Sequence, residues 1–195
     1  GFDLNESRIK DLKNNVDYTN EVTSSILKKS KCSFTSKLSD IKDCNLFIVT
    51  VPTPIFANRK PDLGPLKSSS KMIGSIIKKG DTVVFESTVY PGATEEVCAP
   101  IIEKGSSLKL NEDFFLGYSP ERINPGDKEK KLSNIKKIVS ASNKQTLNLL
   151  VKVYSKIIKA GIHSTSSIRV AEAAKVIENT QRDLNIAFIN ELSIL

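Results

Sequence analysis

The sequence predicts an α/β fold in which a mostly parallel sheet with flanking helices is followed by one long helix. The first observation is that short apolar runs alternate with amphipathic helical patterns. This order is expected of parallel strands that are joined by crossover helices. The second observation is that residues 168–195 contain neither Gly nor Pro and carry apolar residues at helical spacing.

Each predicted strand is a short apolar run, which is typical of strands buried on both faces of a sheet. The runs are "LFIVTV" at 46–51, "TVVFE" at 82–86, "DFFLGY" at 113–118 and "KKIVSA" at 136–141. Amphipathic patterns predict helices at 5–15, 64–79, 94–104 and 144–158. The last helix, at 168–195, is unusually long and has no stop signal, so we expect it to lead into a second domain that the chain lacks.

Unusual polar loops follow the first three predicted strands. They are "TVPTP" at 50–54, "STVYPGATEE" at 87–96 and "SPERINPGD" at 119–127. In a parallel sheet every loop that follows a strand opens at the carboxyl edge, where ligands bind in such folds. We therefore expect these three loops to converge on one crevice.

The composition indicates a globular protein. Of the 195 residues, 39% are hydrophobic and 26% are charged, which differs from the composition of disordered chains. No apolar run approaches the roughly 20 residues of a membrane span. The net charge of +7 comes from scattered lysines, so we expect a solvated basic surface and not a nucleic-acid interface.

The cysteines indicate the compartment. Cys32, Cys44 and Cys98 form no CxxC pair and are odd in number. This pattern favours buried thiols in a reducing compartment, and hence a cytoplasmic protein, over a disulfide framework or a metal site.

Four motifs in order resemble those of the nucleotide-sugar 6-dehydrogenases, the family of UDP-glucose and GDP-mannose dehydrogenases. They are "TVPTP", "ESTVYPGATEE", "YSPERINPGD" and "VAEAAKVIENTQRDLNIAFINEL". The "SPERINPGD" segment is similar to the corresponding segment of the branch that acts on UDP-N-acetylhexosamines for surface polysaccharide synthesis. The resemblance implies a Rossmann-like domain, NAD as cofactor and a UDP-sugar substrate. It also implies oxidation of the C6 alcohol to a carboxylate in two NAD-dependent steps, joined by a cysteine that forms a thiohemiacetal and then a thioester.

Two features of that family are absent from the sequence. No GxGxxG turn occurs in the 195 residues, and no cysteine lies in a glycine-rich segment like the one that holds the family's catalytic cysteine. We therefore expect an interior part of a longer enzyme that is inactive alone. Residues 1–163 would be a partial NAD-binding domain, and residues 164–195 would begin an interdomain helix.

The resemblance also implies which residues contact the cofactor. Asp3 would hold the ribose hydroxyls of NAD, and Val51, Pro52 and Thr53 would hold the cofactor through their backbone. Thr88 would lie beside the nicotinamide and help to position a water molecule.

The remaining implied roles concern the substrate. Glu121 would work with the threonine on the water, and Lys175 and Asn179 would stabilise the developing oxyanion. Lys175 and Asn179 are i and i+4 on one helix face, and a cation with an amide donor suits an oxyanion site. Arg122 would either bind substrate phosphate or support its loop, and the sequence leaves that choice open.

Two other classes of protein stay open on the sequence alone. A β-hydroxyacid-type NAD dehydrogenase shares a Rossmann domain, a long helix and a Lys/Asn pair, although the "SPERINPGD" loop argues against it. The alternative outside enzymes is a non-catalytic nucleotide-binding module.

The long helix carries an apolar stripe that a small core cannot cover. The stripe consists of Val170, Ala174, Ile177, Leu184, Phe188, Leu192 and Leu195. Large bare apolar surfaces usually mark interfaces. We therefore predict that the stripe is a dimerisation or interdomain surface, and that the protein is a homodimer.

Overall fold

The computed structural model describes residues 1–121 and 132–195 of the chain. These residues form two compact units, Gly1–Cys44 and Asn45–Leu195, each with its own internal contacts. The predicted boundary between residues 163 and 164 is a different division of the chain, and it stays a prediction.

Two short helices and a bridge organise the first unit. Helix α1 spans Glu6–Lys13, and helix α2 spans Ser24–Lys29. The side chain of Asn5 caps α1 by accepting a first-turn backbone N–H at 3.0 Å, which satisfies a donor that the helix leaves unpaired. Near the start of the chain, Phe2 and Thr35 form an isolated parallel bridge.

A five-stranded sheet with the order β1-β2-β3-β4-β5 forms the centre of the second unit. The strands are β1 (Leu46–Val49), β2 (Thr82–Phe85), β3 (Phe115–Tyr118), β4 (Lys137–Ala141) and β5 (Ile162–Ser164). Strands β1, β2 and β3 are parallel, β4 is antiparallel to β3, and β5 is parallel to β4. The prediction of a mostly parallel sheet is confirmed, and each of the four predicted strands is present in a shorter form.

Two features of the sheet differ from the prediction. The first is the antiparallel direction of β4. An apolar run indicates that a strand is buried but not which way it runs, so the pattern did not distinguish the two directions. The second is β5, which was not predicted because its three residues are too few to show a periodic pattern.

Four α-helices lie in the described part of the second unit. They are α3 (Gly64–Gly74), α4 (Ala99–Ser106), α5 (Lys144–Ser155) and α6 (Ile168–Leu192). A π-helical turn, Thr94–Cys98, leads directly into α4. The predicted helix at 94–104 is therefore present, but its first turn is wider than an α-helical turn.

Close packing fixes helix α5 against the sheet. Gly117 of β3 has no room for a side chain, because an added Cβ would lie 2.3 Å from Cδ1 of Leu150 on α5. Val84, Val139, Leu150 and Tyr154 belong to one buried apolar cluster. This contact fixes the position of Tyr154, whose hydroxyl reaches the candidate site.

The carboxyl edge of the sheet is formed by the ends of β1, β2 and β3 and by the residues that follow them. Because β4 is antiparallel to β3, the first residue of β4, Lys137, also lies at this edge. Ser140 pairs with Tyr118, so the residues after Tyr118 run alongside the beginning of β4. The prediction that the loops after β1, β2 and β3 lie at one edge of the sheet is confirmed for the described residues, whereas the crevice between them stays a prediction.

Helix α6 leaves most of its apolar stripe uncovered. Ala174 is half-buried, and the other six stripe residues named above are exposed. The predicted bare surface is therefore present, whereas its use as an interface stays a prediction. Although α6 is long, neither it nor any other helix in the described ranges is apolar enough to cross a bilayer.

The prediction of buried thiols is correct only for Cys98, since Cys32 and Cys44 are exposed. Both exposed cysteines lie in the first unit, whose hydrophobic core is very small. Ile9 is the one buried hydrophobic residue between Gly1 and Cys44. That unit therefore has too little apolar surface to cover the two thiols.

Candidate functional site

A side-chain hydrogen bond joins the ends of β1 and β2 at the carboxyl edge. The hydroxyl of Ser87 donates to the backbone carbonyl of Val51 at 2.6 Å. Pro52 is exposed and Thr53 is half-buried, but the Thr53 hydroxyl oxygen is buried and has no partner among the described residues. A buried polar atom without a partner is costly, so a polar ligand bound at this edge would satisfy it.

Thr88 and Glu121 lie at the same edge of the sheet. The last residues of β2 and β3, Phe85 and Tyr118, are paired in register, and Thr88 and Glu121 follow that pair at equal distance along the chain. Thr88 is exposed, and the side chain of Glu121 is 39% exposed. The prediction of a shared edge is confirmed, whereas the chemical roles of the two residues stay predictions.

The segment after Thr88 turns sharply and presents backbone donors. Gly92 has a φ of +98°, a conformation that glycine adopts without strain. The carboxylate of Glu172 accepts the backbone N–H groups of Gly92 at 2.5 Å and Thr94 at 2.9 Å. Helix N-termini leave such N–H groups unpaired and favour negative charge beside them. These two hydrogen bonds therefore connect the segment that carries Thr88 to α6.

Glu172 also fixes the helix that carries two predicted site residues. It is fully buried, and this burial raises the pKa of Glu172 in spite of the hydrogen bonds from Thr94 and Gly92. Lys175 follows one turn later and is buried, whereas Asn179, a further turn along, is exposed. The two residues share a helix, but they differ in their access to solvent.

A buried lysine collects polar groups at the same edge. The ammonium of Lys137 lies 3.5 Å from carboxylate oxygens of both Glu86 and Glu121, and 3.5 Å from the carbonyl oxygen of Ser119. The Tyr154 hydroxyl donates to Glu86 at 2.5 Å, and the centre of its ring lies 5.4 Å from the ammonium. These five residues are referred to below as the Lys137 cluster.

Burial within the Lys137 cluster is uneven. The side chain of Lys137 is 4% exposed and that of Glu86 is 14% exposed, compared with 39% for Glu121. Burial, followed by the neighbouring Glu86 carboxylate, raises the pKa of Tyr154 well above its usual range. A charge this deeply buried is costly unless it is paired, and the two carboxylates provide the pairing.

The sequence contained a signal for this cluster that the prediction did not use. Lys137 is the second residue of a run that was predicted to be a buried strand, and a buried lysine requires acidic partners. Glu86 ends the β2 run directly before the polar loop at 87–96. Glu172 stands in an alanine-rich turn of α6, and its partners become visible only in the folded chain.

Asp3 and Arg122 are the two remaining predicted site residues. Asp3 belongs to the first unit, where it is exposed and its Oδ1 accepts the backbone N–H of Asn5 at 2.8 Å. Its role in holding a cofactor stays a prediction. Arg122 lies outside the described residues, so the two alternatives for it remain as they were.

Comparisons with known proteins agree with the motifs. Residues 1–158 match the family described as "UDP-glucose/GDP-mannose dehydrogenase family, NAD binding domain". The chain is 60% identical over 196 residues to the UDP-N-acetyl-D-glucosamine 6-dehydrogenase of Pseudomonas aeruginosa. It is 55% identical over 196 residues to the enzyme of the same name from Salmonella typhi. Each alignment covers 100% of this chain and 46% of the relative.

A solved structure shows the same fold. The UDP-D-ManNAc dehydrogenase of Pyrococcus horikoshii superposes with a TM-score of 0.90 at 32% sequence identity, over 98% of this chain and 46% of that one. The chain therefore spans about half the length of the proteins that it matches. The family model covers most of the chain, which confirms the resemblance predicted from the four motifs. The chain belongs to the UDP-glucose/GDP-mannose dehydrogenase family, and most of it matches the NAD binding domain of that family.

Proposed function

We propose that the chain is the NAD-binding part of an enzyme that oxidises the C6 alcohol of a UDP-N-acetylhexosamine to the carboxylate. The observation that carries this proposal is the 60% identity, over the whole chain, to a UDP-N-acetyl-D-glucosamine 6-dehydrogenase. The presence of Thr88 and Glu121 at one sheet edge supports it. The product would serve surface polysaccharide synthesis, as the notable likeness of "SPERINPGD" to that branch suggests.

The residues at the carboxyl edge are suited to hold NAD. The Thr53 hydroxyl, which has no partner among the described residues, and the backbone of Val51 and Pro52 lie where a ligand would bind in an α/β fold. In this proposal Asp3 binds the ribose hydroxyls, and Thr88 orients the reacting water next to the nicotinamide. Bound NAD would supply the oxidising equivalent for each of the two oxidation steps.

Three further residues would act on the substrate. Glu121 accepts a proton from the attacking water, because an ionised carboxylate with solvent access can serve as a general base. Lys175 and Asn179 stabilise the negative charge that develops on the sugar oxygen. Arg122 would contact the substrate phosphate or support its loop, and the two alternatives predict different effects of its removal on substrate affinity.

The chain by itself should be inactive in this scheme. The covalent step needs a reactive thiolate, and burial raises the pKa of Cys98 to about 11, which makes it a poor nucleophile. Cys32 and Cys44 lie in the first unit, and neither matches the glycine-rich segment of the family's catalytic cysteine. We propose that the catalytic cysteine belongs to a part of the full-length enzyme outside residues 1–195.

We also propose a cytoplasmic homodimer. The three cysteines are free thiols, as expected in a reducing compartment. The uncovered apolar stripe on α6 supports an interface, because exposed Leu184, Phe188 and Leu192 would lose contact with water on association. Sedimentation of the full-length protein tests this proposal, and substitution of Phe188 and Leu192 by Ser should favour the monomer.

Initial-rate assays on a full-length protein that contains this chain test the function. NADH formation should be faster with UDP-N-acetylglucosamine than with UDP-glucose or GDP-mannose. Formation of NADH only from a short β-hydroxyacid would favour the alternative class of NAD dehydrogenase. Binding of NAD without turnover of any of these compounds would favour the non-catalytic nucleotide-binding module.

A further inference from the structure

The Lys137 cluster contains charged groups to which the proposed function gives no role. We propose that Lys137 is a positioning residue for Glu121, whose carboxylate it holds in place to accept a proton from water. This inference rests on the proposed function, in which Glu121 is the base of the water-dependent step.

The geometry gives Lys137 a fixed position that does not depend on Glu121. Its side chain is 4% exposed, and its ammonium also contacts the Ser119 carbonyl and faces the Tyr154 ring. A cation held over an aromatic face is stabilised by the electrons of the ring. Lys137 can therefore act as a fixed positive charge against which the more exposed Glu121 side chain is placed.

The two carboxylates next to the ammonium differ in what else surrounds them. Glu86 is 14% exposed and already accepts the Tyr154 hydroxyl, so it balances the buried charge within the cluster. Glu121 is 39% exposed, so water can reach it. Glu86 therefore balances the charge of Lys137 in the interior, while the carboxylate of Glu121 lies at the edge of the sheet.

The charged and titratable neighbours of Glu121 come from several elements. Within the described residues they include Lys137 of β4, Lys136 directly before β4, Glu86 after β2 and Tyr154 of α5. The ammonium of Lys137 lies 3.5 Å from both Glu86 and Glu121. Without this cation, Glu121 would lose the contact that places its carboxylate at the edge of the sheet.

The step that depends on Lys137 is the hydrolysis of the acyl-enzyme. Water gives one proton to the Glu121 carboxylate while its oxygen bonds to the acyl carbon of the thioester. The carbon–sulfur bond then breaks, the enzyme thiolate leaves with the electron pair, and the sugar carboxylic acid is released. No electrons are gained or lost overall, so this half-reaction needs no oxidant.

Three variants of the full-length enzyme distinguish a positioning role of Lys137 from a purely structural role. Lys137→Met removes the charge at similar length, and Lys137→Arg keeps it. In the double variant Lys137→Met/Glu86→Gln, one positive and one negative charge are lost together, so the net charge of the cluster is unchanged. The double variant replaces Lys137→Met in the assay if circular dichroism shows that the single variant does not fold.

The readout is a pair of single-turnover rates measured at pH 7. One is the rate of the first NADH, which does not involve the base, and the other is the rate of acid release. We expect loss of the Lys137 charge to slow acid release by about tenfold or more. The first NADH should form within about twofold of the wild-type rate, and Lys137→Arg should restore most of the release rate.

Other outcomes would overturn the inference. If loss of the charge slows both half-reactions equally, Lys137 only supports the fold. If Lys137→Arg is as slow as the uncharged variant, the positive charge is not the property that matters. Failure of the proposed function is distinguishable, because in that case the wild-type enzyme itself forms no NADH from a UDP-N-acetylhexosamine.

Discussion

The carboxylate of Glu172 in α6 accepts the backbone N–H of Thr94 at 2.9 Å, although 78 positions separate the two residues in the chain. Thr94 begins the π-helical turn after the loop that carries Thr88, and Lys175 lies one turn after Glu172 on α6. One buried carboxylate thus connects the segment of a proposed water-positioning residue with the helix of a proposed oxyanion donor.

Glu172→Gln should therefore destabilise the chain. A glutamine keeps the shape, but its NH₂ group cannot accept a hydrogen bond, so one of the backbone N–H groups of Gly92 and Thr94 loses its acceptor. A buried donor without a partner costs about 1–3 kcal/mol, which a thermal unfolding curve can resolve. Glu191→Gln is the matched control, because Glu191 is exposed on the same helix. Equal melting temperatures for the two variants would contradict this account of Glu172.

The three thiols should differ in reactivity. Burial raises the pKa of Cys98 to about 11, whereas Cys32 and Cys44 are exposed. Ellman's reagent at pH 8 should therefore modify Cys32 and Cys44 quickly in the native chain, and Cys98 only after unfolding in guanidinium chloride. Rapid reaction of Cys98 in the native chain would show that it is not buried.

The raised pKa of Cys98 also predicts that the stability of the chain depends on pH. The folded pKa of Cys98, about 11, lies above the model-compound value of 9.0, so folding favours the protonated thiol. The contribution of Cys98 to stability is fully present below about pH 9 and is lost as the pH rises through about 11. Urea midpoints between pH 8 and pH 11 should fall less in Cys98→Ala than in the wild type. If the urea midpoints of the two proteins fell equally with pH, the raised pKa of Cys98 would be wrong.

The sequence was sufficient to predict the strands and helices whose apolar residues form an uninterrupted or periodic pattern. The strands at 46–49, 82–85, 115–118 and 137–141 were recognisable because uninterrupted apolar runs are typical of buried strands. The shared edge of Thr88 and Glu121 followed from the parallel order of β2 and β3 alone. The direction of β4 was not predictable in the same way, because strand direction depends on the connection and not on the composition of the strand.

The polar contacts of the site were less accessible to sequence reasoning. Glu86, Lys137 and Tyr154 are far apart in sequence, and no pattern in the chain shows which of them come together in the fold. Only the antiparallel register of β4 brings Lys137 beside Glu121. The exposure of Cys32 was missed for a similar reason, since its burial depends on the size of the core of the first unit and not on residue type.

Lys175→Ala in the full-length enzyme should lower kcat far more than it changes KM. The ammonium meets little negative charge on the bound alcohol and more on the oxyanion that forms later, so its contribution is specific to the transition state. Loss of one such donor lowers the rate by on the order of 100-fold or more. Lys152→Ala is the control, because Lys152 is exposed on α5. If Lys175→Ala changed only KM, the oxyanion role would be wrong.

Glu121→Gln should arrest the enzyme after the covalent intermediate has formed. The amide keeps the shape of the side chain but cannot accept the proton of water, and removal of a general base slows a step by about 100- to 10,000-fold. Intact-protein mass spectrometry after mixing with NAD and substrate should show the mass of the acylated enzyme. Glu112→Gln, a change at an exposed position, should show no adduct. Normal turnover of Glu121→Gln would exclude the base role.

The stoichiometry of NADH per sugar tests the central claim most directly. A limiting amount of UDP-N-acetylglucosamine, UDP-N-acetylgalactosamine or UDP-N-acetylmannosamine is incubated to completion with the full-length enzyme and excess NAD, and NADH is measured by absorbance. Because the proposed reaction takes an alcohol to a carboxylate, the account predicts two NADH per sugar for at least one of these compounds. One NADH per sugar with release of an aldehyde, or no NADH from any of the three, would contradict it.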